Sequence, residues 1–306
     1  MSPKLAWIGL GNMGRGMAAN LATKGPQTQP LIIHNRTQTT AQTFAQNTPN
    51  TTVSATLEAT LTQADIIFTC LSDDAAITTL ITAAVTTPNL SLHNKIFVDC
   101  STVHPSTTTT ISKQLNQAGA QFIACPVFGS PAAAAAGQVI CVLAGEADVI
   151  ERIKPYTTGV IAKSDLEFAD CAPAKASQLK ILGNTFVISM VEAIAEGLVV
   201  AEKCGLGAEN LHRFFEAVFP GPYVAYSERM RSGDYWRREA PLFGVGLVRK
   251  DARHALDMAH SVGARMRGVE LADGYLRAVE ERTGEKGDLA GVYGAVREEG
   301  GLKFEN

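Results

Sequence analysis

The sequence lacks an uninterrupted apolar run of the roughly 18 residues that a membrane-spanning helix requires. Its charges nearly balance, with a formal net charge of -3 at pH 7, so neither nucleic acid nor an anionic membrane is expected as a partner. The segment Met1-Ser2-Pro3-Lys4 leads directly into a strand-like run and has no signal or transit pattern. These absences predict a cytoplasmic protein.

Metal-binding and redox motifs are also absent. None of the six cysteines forms a C-x-x-C pair, and several lie inside apolar runs, so we expect buried, reduced thiols. No histidine lies in a motif that would partner a cysteine nucleophile. Because the six histidines do not cluster with acids or cysteines at ligand spacing, the sequence predicts no catalytic metal.

Short apolar runs alternate with helix-like stretches in the first part of the chain. Such runs, followed by turn or cap residues, are typical of buried parallel strands in βαβ units. They are Leu5–Ile8, Leu31–His34, Ile66–Thr69, Ile96–Asp99, 122–124 and 139–143. The Thr/Gln/Asn-rich stretch between Thr37 and Thr62 is interpreted as surface helix and loop.

After Cys171 the pattern becomes helical. Residues 175–204 contain no proline, their apolar positions recur at helical spacing, and Gly205 is a candidate C-cap. Further helical patterns lie near Ala208–Val218, Val245–Ser261, 269–283 and 289–298. We therefore predict an α/β domain with a mostly parallel sheet over residues 1–172. An all-helical domain that begins with the long helix is predicted over 173–306.

A glycine-rich motif follows the first strand and opens a helix near residues 15–23. It reads Gly9-Leu10-Gly11-Asn12-Met13-Gly14. In this context Gly9 permits a tight turn, Gly11 lets a pyrophosphate approach the backbone, and Gly14 lets the helix pack closely on the strand. The N–H groups of the helix N-terminus favour an anion. The motif predicts a dinucleotide site.

The end of the second strand indicates which dinucleotide is preferred. NAD sites place Asp or Glu there to bind the ribose hydroxyls, but this chain has His34-Asn35-Arg36-Thr37. Arg36 can pair with a 2′-phosphate, and Asn35 and Thr37 can add hydrogen bonds. NADP(H) is therefore favoured over NAD(H). Leu71 and Ser72, which follow the run Ile66–Thr69, are further cofactor candidates.

Four more segments complete a recognisable set. They are Asp99-Cys100-Ser101-Thr102-Val103-His104-Pro105, Pro126-Val127-Phe128-Gly129-Ser130-Pro131, Lys180-Ile181-Leu182-Gly183-Asn184 and Phe243-x6-Lys250-Asp251. With the glycine loop, and in this order over nearly the whole chain, they resemble the β-hydroxyacid dehydrogenase family. That family includes 3-hydroxyisobutyrate dehydrogenase, tartronate semialdehyde reductase, glyoxylate/succinic semialdehyde reductase and 6-phosphogluconate dehydrogenase.

The resemblance implies a doubly wound Rossmann domain, a long interdomain helix, an all-α C-terminal domain and an active site in the cleft between the domains. It also implies hydride transfer between a nicotinamide and a short β-hydroxy acid or the matching aldehyde. By its place in the family's motif, Lys180 matches the lysine that donates a proton, and Asn184 matches the asparagine that helps to hold the substrate. Ser101, Gly129 and Ser130 match substrate contacts, Thr102 matches a nicotinamide-ribose contact, and Lys250 matches the lysine that closes over the cofactor.

Local physics favours the role of Lys180 independently. Lys180 and Asn184 are four residues apart and share one helix face, within an apolar stretch. An ammonium there can stabilise a developing alkoxide and donate its proton. Simpler roles stay open for other residues: Ser101 and Thr102 can cap a helix that starts near Pro105, and Lys250-Asp251 can be a surface ion pair. Asp99 is interpreted as structural.

The chain departs from the family pattern at two places. Phe128-Gly129-Ser130 stands where the family usually has Ser-Gly-Gly, so a phenyl ring replaces a hydroxyl and a bulkier or less polar substrate is expected. Ala174-Lys175-Ala176 replaces the usual Gly-x-Gly before the lysine, which strengthens the helix start. Tyr223, after the rigid turn Phe219-Pro220-Gly221-Pro222, is a candidate for the substrate pocket or a simple loop residue.

Three functions remain in competition. The leading one is an NADPH-dependent reductase of small β-hydroxy acids or semialdehydes. The second is an imine reductase of the same architecture, although such enzymes usually lack the lysine found here at position 180. The third is a catalytically silent NADP-binding interaction module. The resemblance and the apolar stretch 186–200 also predict at least a homodimer.

Overall fold

A computed structural model of the chain describes residues 2–306. It divides into two compact units, Met1–Lys180 and Ile181–Asn306. The first unit holds the whole sheet and the second is helical. The predicted combination of an α/β domain with an all-helical one is confirmed.

Nine strands form one sheet in the first unit. In chain order, β1 to β9 are Leu5–Ile8, Leu31–His34, Thr51–Val53, Ile66–Thr69, Ile96–Asp99, Gln121–Ala124, Val127–Phe128, Val139–Gly145 and Ala162–Ala169. The helices α1 to α7 of this unit are Gly14–Lys24, Gln38–Asn47, Leu57–Gln63, Asp74–Thr86, Pro105–Gln117, Pro131–Ala136 and Ala147–Thr157.

The sheet is mostly parallel and doubly wound. Strands β3, β2, β1, β4, β5 and β6 lie side by side in that order, and each pairs with its neighbour in parallel. Beyond β6, strand β8 runs antiparallel to β6 and β7, and β9 pairs in parallel with β8. The order 3-2-1-4-5-6 is that of a Rossmann fold, as the sequence predicted.

Two apolar layers sandwich the sheet, because successive side chains of a strand point to opposite faces. In β1, Leu5 and Trp7 pack into one core, while Ala6 and Ile8 pack into the other. The Trp7 ring stacks on Phe68 of β4, with 5.7 Å between ring centroids. Burial on both faces explains why these strands read as continuous apolar runs.

The sequence missed the strands at the margins of the sheet. Strand β3 lies inside the stretch that was interpreted as surface helix and loop, so that interpretation is wrong at Thr51–Val53. Strand β9 has the sequence AKSDLEFA and is mostly solvent-accessible. Both strands pair on one side only, so they need no continuous apolar run and give a weak signal.

The long helix α8 spans Ala174–Lys203, against a prediction of 175–204. It is the one described helix that is long and apolar enough to cross a membrane by length and composition. However, 61% of its apolar window is buried within the protein. Its first turns, including Ala176 and Leu179, pack on the core of the first unit, so its apolar character is that of a core helix.

The second unit is built on the remainder of α8 and six further helices. These helices, α9 to α14, are Ala208–Val218, Pro222–Arg231, Asp234–Arg237, Val245–Ser261, Arg267–Thr283 and Val292–Glu299. The sequence predicted neither α10 nor α11, and it placed a rigid turn at 219–223. Helix α10 instead begins at Pro222, where a proline is tolerated in the first turn. Phe304 is buried in the core of this unit.

Two helical glycines have opposite surroundings and provide a test of this packing. A Cβ on Gly16 of α1 would lie 2.6 Å from the backbone nitrogen of Ala135 in α6, whereas nothing lies within 4 Å of a Cβ on Gly274 of α13. We expect Gly16→Ala to lower the free energy of unfolding by about 1–3 kcal/mol through overpacking. Gly274→Ala should raise it by about 0.5–1 kcal/mol through helix propensity. Urea denaturation measures both, and equal losses in the two variants would contradict the packing argument.

Candidate active site

The glycine loop after β1 is shaped by two close backbone approaches. Gly9 has φ +101°, and a Cβ there would lie 2.3 Å from the carbonyl oxygen of Cys70. A Cβ on Gly14 would lie 2.2 Å from the carbonyl oxygen of Gly9, whereas nothing lies within 4 Å of a Cβ on Gly11. Gly9 and Gly14 are therefore required by the turn itself. Gly11 is exposed and leaves its backbone accessible to a ligand.

Helix α1 begins at Gly14, the last residue of the glycine motif, and its N-terminus is suited to bind an anion. Met13 occupies its N-cap position without a side-chain hydrogen bond, and the first turn contains no acidic residue. Met13 packs on the core and Leu10 is buried, while Asn12 is exposed. The N-terminal N–H groups and the helix dipole suit a phosphate group.

The end of β2 is tied to the glycine loop by Asn35. The Asn35 Oδ1 atom accepts a hydrogen bond of 3.1 Å from the Leu10 backbone N–H, and Nδ2 donates to the Thr37 carbonyl oxygen at 3.1 Å. Arg36 and Thr37 are exposed beside it. Asn35 thus holds the loop in place, and the Arg36 guanidinium is accessible to a ligand.

Ser101 connects the ends of β4 and β5. Its hydroxyl donates to Asp99 Oδ1 at 2.6 Å and accepts from the Leu71 N–H at 2.9 Å. Asp99 is buried and also accepts from the Thr69 hydroxyl at 2.8 Å, which fits its predicted structural role. The predicted substrate contact of Ser101 remains a prediction.

The remaining residues of these two loops are partly accessible. Ser72 is exposed and donates to Asp73 Oδ2 at 2.8 Å, and Thr102 is half-buried. The suggestion that Ser101 or Thr102 caps the next helix is wrong. His104 occupies the N-cap position of α5, and its ring accepts from the Ser106 backbone N–H.

The turn that replaces the family's Ser-Gly-Gly has an unexpected geometry. Gly129 has φ +149°, and a Cβ there would lie 3.0 Å from Val139 Cγ1. The Ser130 hydroxyl caps α6, since it accepts from the Ala133 N–H at 3.2 Å. The Phe128 ring lies beneath the ammonium of Lys180, with Nζ 4.6 Å from the ring centroid. Lys180 itself is only 8% exposed.

In the second unit, Asn184 belongs to a buried polar group. Its Nδ2 donates to Asp251 Oδ2 at 2.7 Å, and Lys250 Nζ lies 3.3 Å from Asp251 Oδ1. All three side chains are buried, so the alternative of a surface ion pair for Lys250-Asp251 is wrong. The sequence named Asp251 only beside Lys250 and did not predict that its carboxylate orients the Asn184 amide.

Tyr223 belongs to an aromatic cluster of the second unit. Its ring stacks on Phe219, with 5.0 Å between centroids, and packs at 5.7 Å from Phe215. Phe214 extends the cluster and is 46% exposed. The contacts of Tyr223 are those of a half-buried packing residue, and its predicted place in the substrate pocket remains a prediction.

All six cysteines are free, and Cys100, Cys125 and Cys141 are buried. Hydrogen bonds with Cys100 and Cys141, together with burial, raise the pKa of the Cys125 thiol well above its usual range. Cys171 and Cys204 are exposed, contrary to the expectation of buried thiols. Among residues 2–306, no group of three or more His, Cys, Asp or Glu side chains is arranged to hold a metal ion.

Two family models match this chain. Residues 4–165 match the NAD-binding domain of 6-phosphogluconate dehydrogenase. Residues 174–296 match the NAD-binding domain of NADP-dependent 3-hydroxyisobutyrate dehydrogenase.

Similar proteins span nearly the full length of the chain. NADH-dependent oxidoreductase ucdB of Aspergillus ustus is 33% identical over 293 residues, which are 95% of this chain and 98% of that protein. The structure of Mycobacterium tuberculosis 3-hydroxyisobutyrate dehydrogenase with L-serine aligns with a TM-score of 0.80 at 22% identity, over 97% of this chain and 100% of that chain. An imine reductase from Pseudomonas sp. aligns with a TM-score of 0.63 at 18% identity, over 96% of this chain and 99% of that chain. The chain is thus an NAD(P)-binding oxidoreductase of the β-hydroxyacid dehydrogenase family.

Proposed function

We propose that this protein is an NADPH-dependent reductase of a small β-hydroxy acid, a semialdehyde or a related carbonyl compound, with Lys180 as the proton donor. The observation that carries the proposal is the burial of Lys180, a residue that is 8% exposed, in an apolar part of α8. A solubility role would keep that charge in water, whereas a buried ammonium interacts strongly with an alkoxide.

The chain's own residues fit the cofactor at three points. Gly11 leaves the loop backbone open, the N-terminus of α1 is free of acids, and Arg36 is exposed at the end of β2. In the proposed complex, Gly9 and Gly14 shape the loop, while Leu10, Asn12 and Met13 line it. Leu71, Ser72 and Thr102 contact the nicotinamide end, and Lys250 closes over the cofactor. In the proposed division, Lys250 lies in the substrate domain over 173–306, and the other cofactor residues lie in the cofactor domain over 1–172.

Proton transfer is the step that this chain's residues perform. A bound nicotinamide supplies the hydride to the carbonyl carbon. As the C–O π electrons move to oxygen, Lys180 Nζ donates its proton there, so that an alcohol forms and a neutral amine remains. Lys180 then regains a proton from solvent. The Asn184 amide, oriented by Asp251, hydrogen-bonds the substrate one turn along the helix.

The turn at 128–130 supports a substrate with an apolar substituent. Position 128 has no hydroxyl, and the Ser130 hydroxyl accepts the capping N–H of α6 while keeping its own proton to donate. The Ser101 hydroxyl already donates its proton to Asp99. A substrate carboxylate would therefore rely on Ser130, on backbone groups around Gly129 or on Lys180. We place Phe128 and Tyr223 against the less polar part of the substrate.

Two other functions remain as alternatives. The likeness to an imine reductase supports reduction of a C=N bond on the same fold, and Phe128 fits an apolar imine. A silent NADP-binding interaction module is the weaker alternative, because the chain keeps Lys180.

Replacing Lys180 tests the mechanism. We expect Lys180→Ala to lower kcat for aldehyde reduction by about 100- to 10,000-fold, because the proton donor is lost. The Kd for NADPH should change less than about twofold. The measurement is NADPH consumption over a panel of semialdehydes, glyoxylate, larger aldehydes and cyclic imines, with cofactor binding titrated in parallel.

Lys175 provides the matched control, because it is an exposed lysine on the same helix. Lys175→Ala should retain full activity. Turnover of imines alone would favour the imine reductase, and no turnover at all would favour the silent module. Unchanged activity in Lys180→Ala would remove the proposed proton donor.

Replacing Arg36 tests the cofactor preference, for which the relative named as NADH-dependent is a counter-indication. We expect Arg36→Ala to weaken NADPH binding by about 10- to 100-fold through loss of a charge-assisted contact to the 2′-phosphate. NADH binding should stay nearly constant. Arg213→Ala, an exposed arginine on α9, is the control. Equal or tighter binding of NADH by the unaltered protein would contradict the preference.

We also propose that the protein forms at least a homodimer. Exposed apolar side chains along α8 support this, since Phe186 is 78% exposed and Val200 is 62% exposed. Sedimentation should give a mass of at least twice the 32.5 kDa of one chain. Phe186→Asp should shift the mass towards the monomer, whereas Val262→Asp, at a site that is 77% exposed on the loop after α12, should not. A monomeric mass with full activity would contradict the proposal.

A further inference from the structure

Phe128 and Lys180 form a contact that the sequence did not predict. The Lys180 Nζ atom lies 4.6 Å from the centroid of the Phe128 ring, within the distance at which an ammonium is attracted to an aromatic face. Both residues belong to the first unit, and the lysine is almost completely buried. The contact therefore lies away from bulk water, where such an attraction is strongest.

Secondary structure determines the position of both partners. Phe128 is in β7, where it pairs with Ile140 of β8, and its ring packs on the apolar core of the first unit. Lys180 lies one turn after Ala176, which is buried in that same core. Because a strand register and a helix position hold the two side chains, the contact does not depend on a mobile loop.

The ring has a specific electrostatic effect on the lysine. Burial penalises an ammonium, because the charge loses its hydration. The negative face of a phenyl ring attracts the ammonium and has no comparable attraction for the neutral amine. Phe128 therefore offsets part of the burial penalty and favours the protonated lysine. A serine at position 128 would offer a hydroxyl dipole instead of this face.

We propose that Phe128 is a positioning residue that holds the Lys180 ammonium and keeps it protonated for transfer to the substrate oxygen. The inference rests on the proposed function, in which Lys180 is the proton donor. When Lys180 gives up its proton, the amine loses its attraction to the ring, and reprotonation restores it. The ring thus favours the form of the enzyme that is ready to reduce a carbonyl.

A first experiment measures the contact without catalysis. In protein containing isotope-labelled lysine, the side-chain methylene next to Nζ of Lys180 is identified by its absence from the NMR spectrum of Lys180→Met. We expect it to be displaced upfield by the ring current of Phe128. Phe128→Tyr should keep the displacement, because the aromatic face is retained, and Phe128→Leu should abolish it. Phe122→Leu, which removes a phenyl ring from the same core, is the matched control.

A second experiment measures the consequence for proton donation. Because the donor acts in its ammonium form, kcat for reduction falls as pH rises through the titration of Lys180. Removing the ring destabilises the protonated lysine, so in Phe128→Leu this fall in kcat should move to lower pH by about 0.7–1.5 units. Phe128→Tyr and Phe122→Leu should titrate like the unaltered protein. The KM for NADPH should not change in any of them.

The outcomes separate a positioning role from a structural one. A purely structural defect in Phe128→Leu would lower kcat equally at every pH, whereas the proposed role makes the loss grow with pH. Equal pH profiles in Phe128→Leu and the unaltered protein, with an undisplaced Lys180 resonance, would overturn the inference and leave the reductase assignment intact. If no carbonyl is reduced at all, the proposed function fails, and the resonance and its pH titration still decide whether Phe128 holds the ammonium.

Discussion

Parallel strands that are buried on both faces bring their carboxyl ends to one edge of the sheet, and the position of the proposed cofactor residues of the first unit depends on this constraint. Hydrogen bonds connect the neighbouring loops along that edge. The Gly9 N–H donates to the backbone carbonyl oxygen of His34 at 3.1 Å, and the Cys70 N–H donates to that of Ile8 at 2.9 Å. The Leu71 N–H donates to Ser101 at 2.9 Å. Loops that lie far apart in the sequence are thereby held in one rigid arrangement.

Each unit also buries a lysine, and the group that lies beside the lysine differs between the two units. In the first unit, the Lys180 ammonium lies over an aromatic face. In the second, Lys250 lies beside the Asp251 carboxylate, which also accepts from Asn184. Replacing one partner of such a group by an apolar residue leaves the other partner's charge uncompensated in a low-dielectric interior. These side chains are consequently more constrained than surface lysines.

The fold was predictable where the local pattern and the tertiary environment agree. The buried central strands β1, β2, β4 and β5 and the helices α9 and α12 begin and end where the apolar pattern placed them. The marginal strands β3 and β9 were missed because one-sided pairing does not demand an apolar run. The cap of α5 was misassigned because several residues before Pro105 are able to accept the same N–H, and only the backbone geometry selects His104.

The amino-acid sequence by itself determined the family, the glycine loop, the missing acid at the end of β2 and the lysine on a long apolar helix. Those features follow from residue type and from spacings of a few positions along the chain. Only the tertiary structure decided that Phe128 lies beneath Lys180 and that Asp251 orients Asn184 across a separation of 67 residues. Such pairs depend on how strands and helices pack, and the periodicity of a single element carries no information about which distant side chain it will meet.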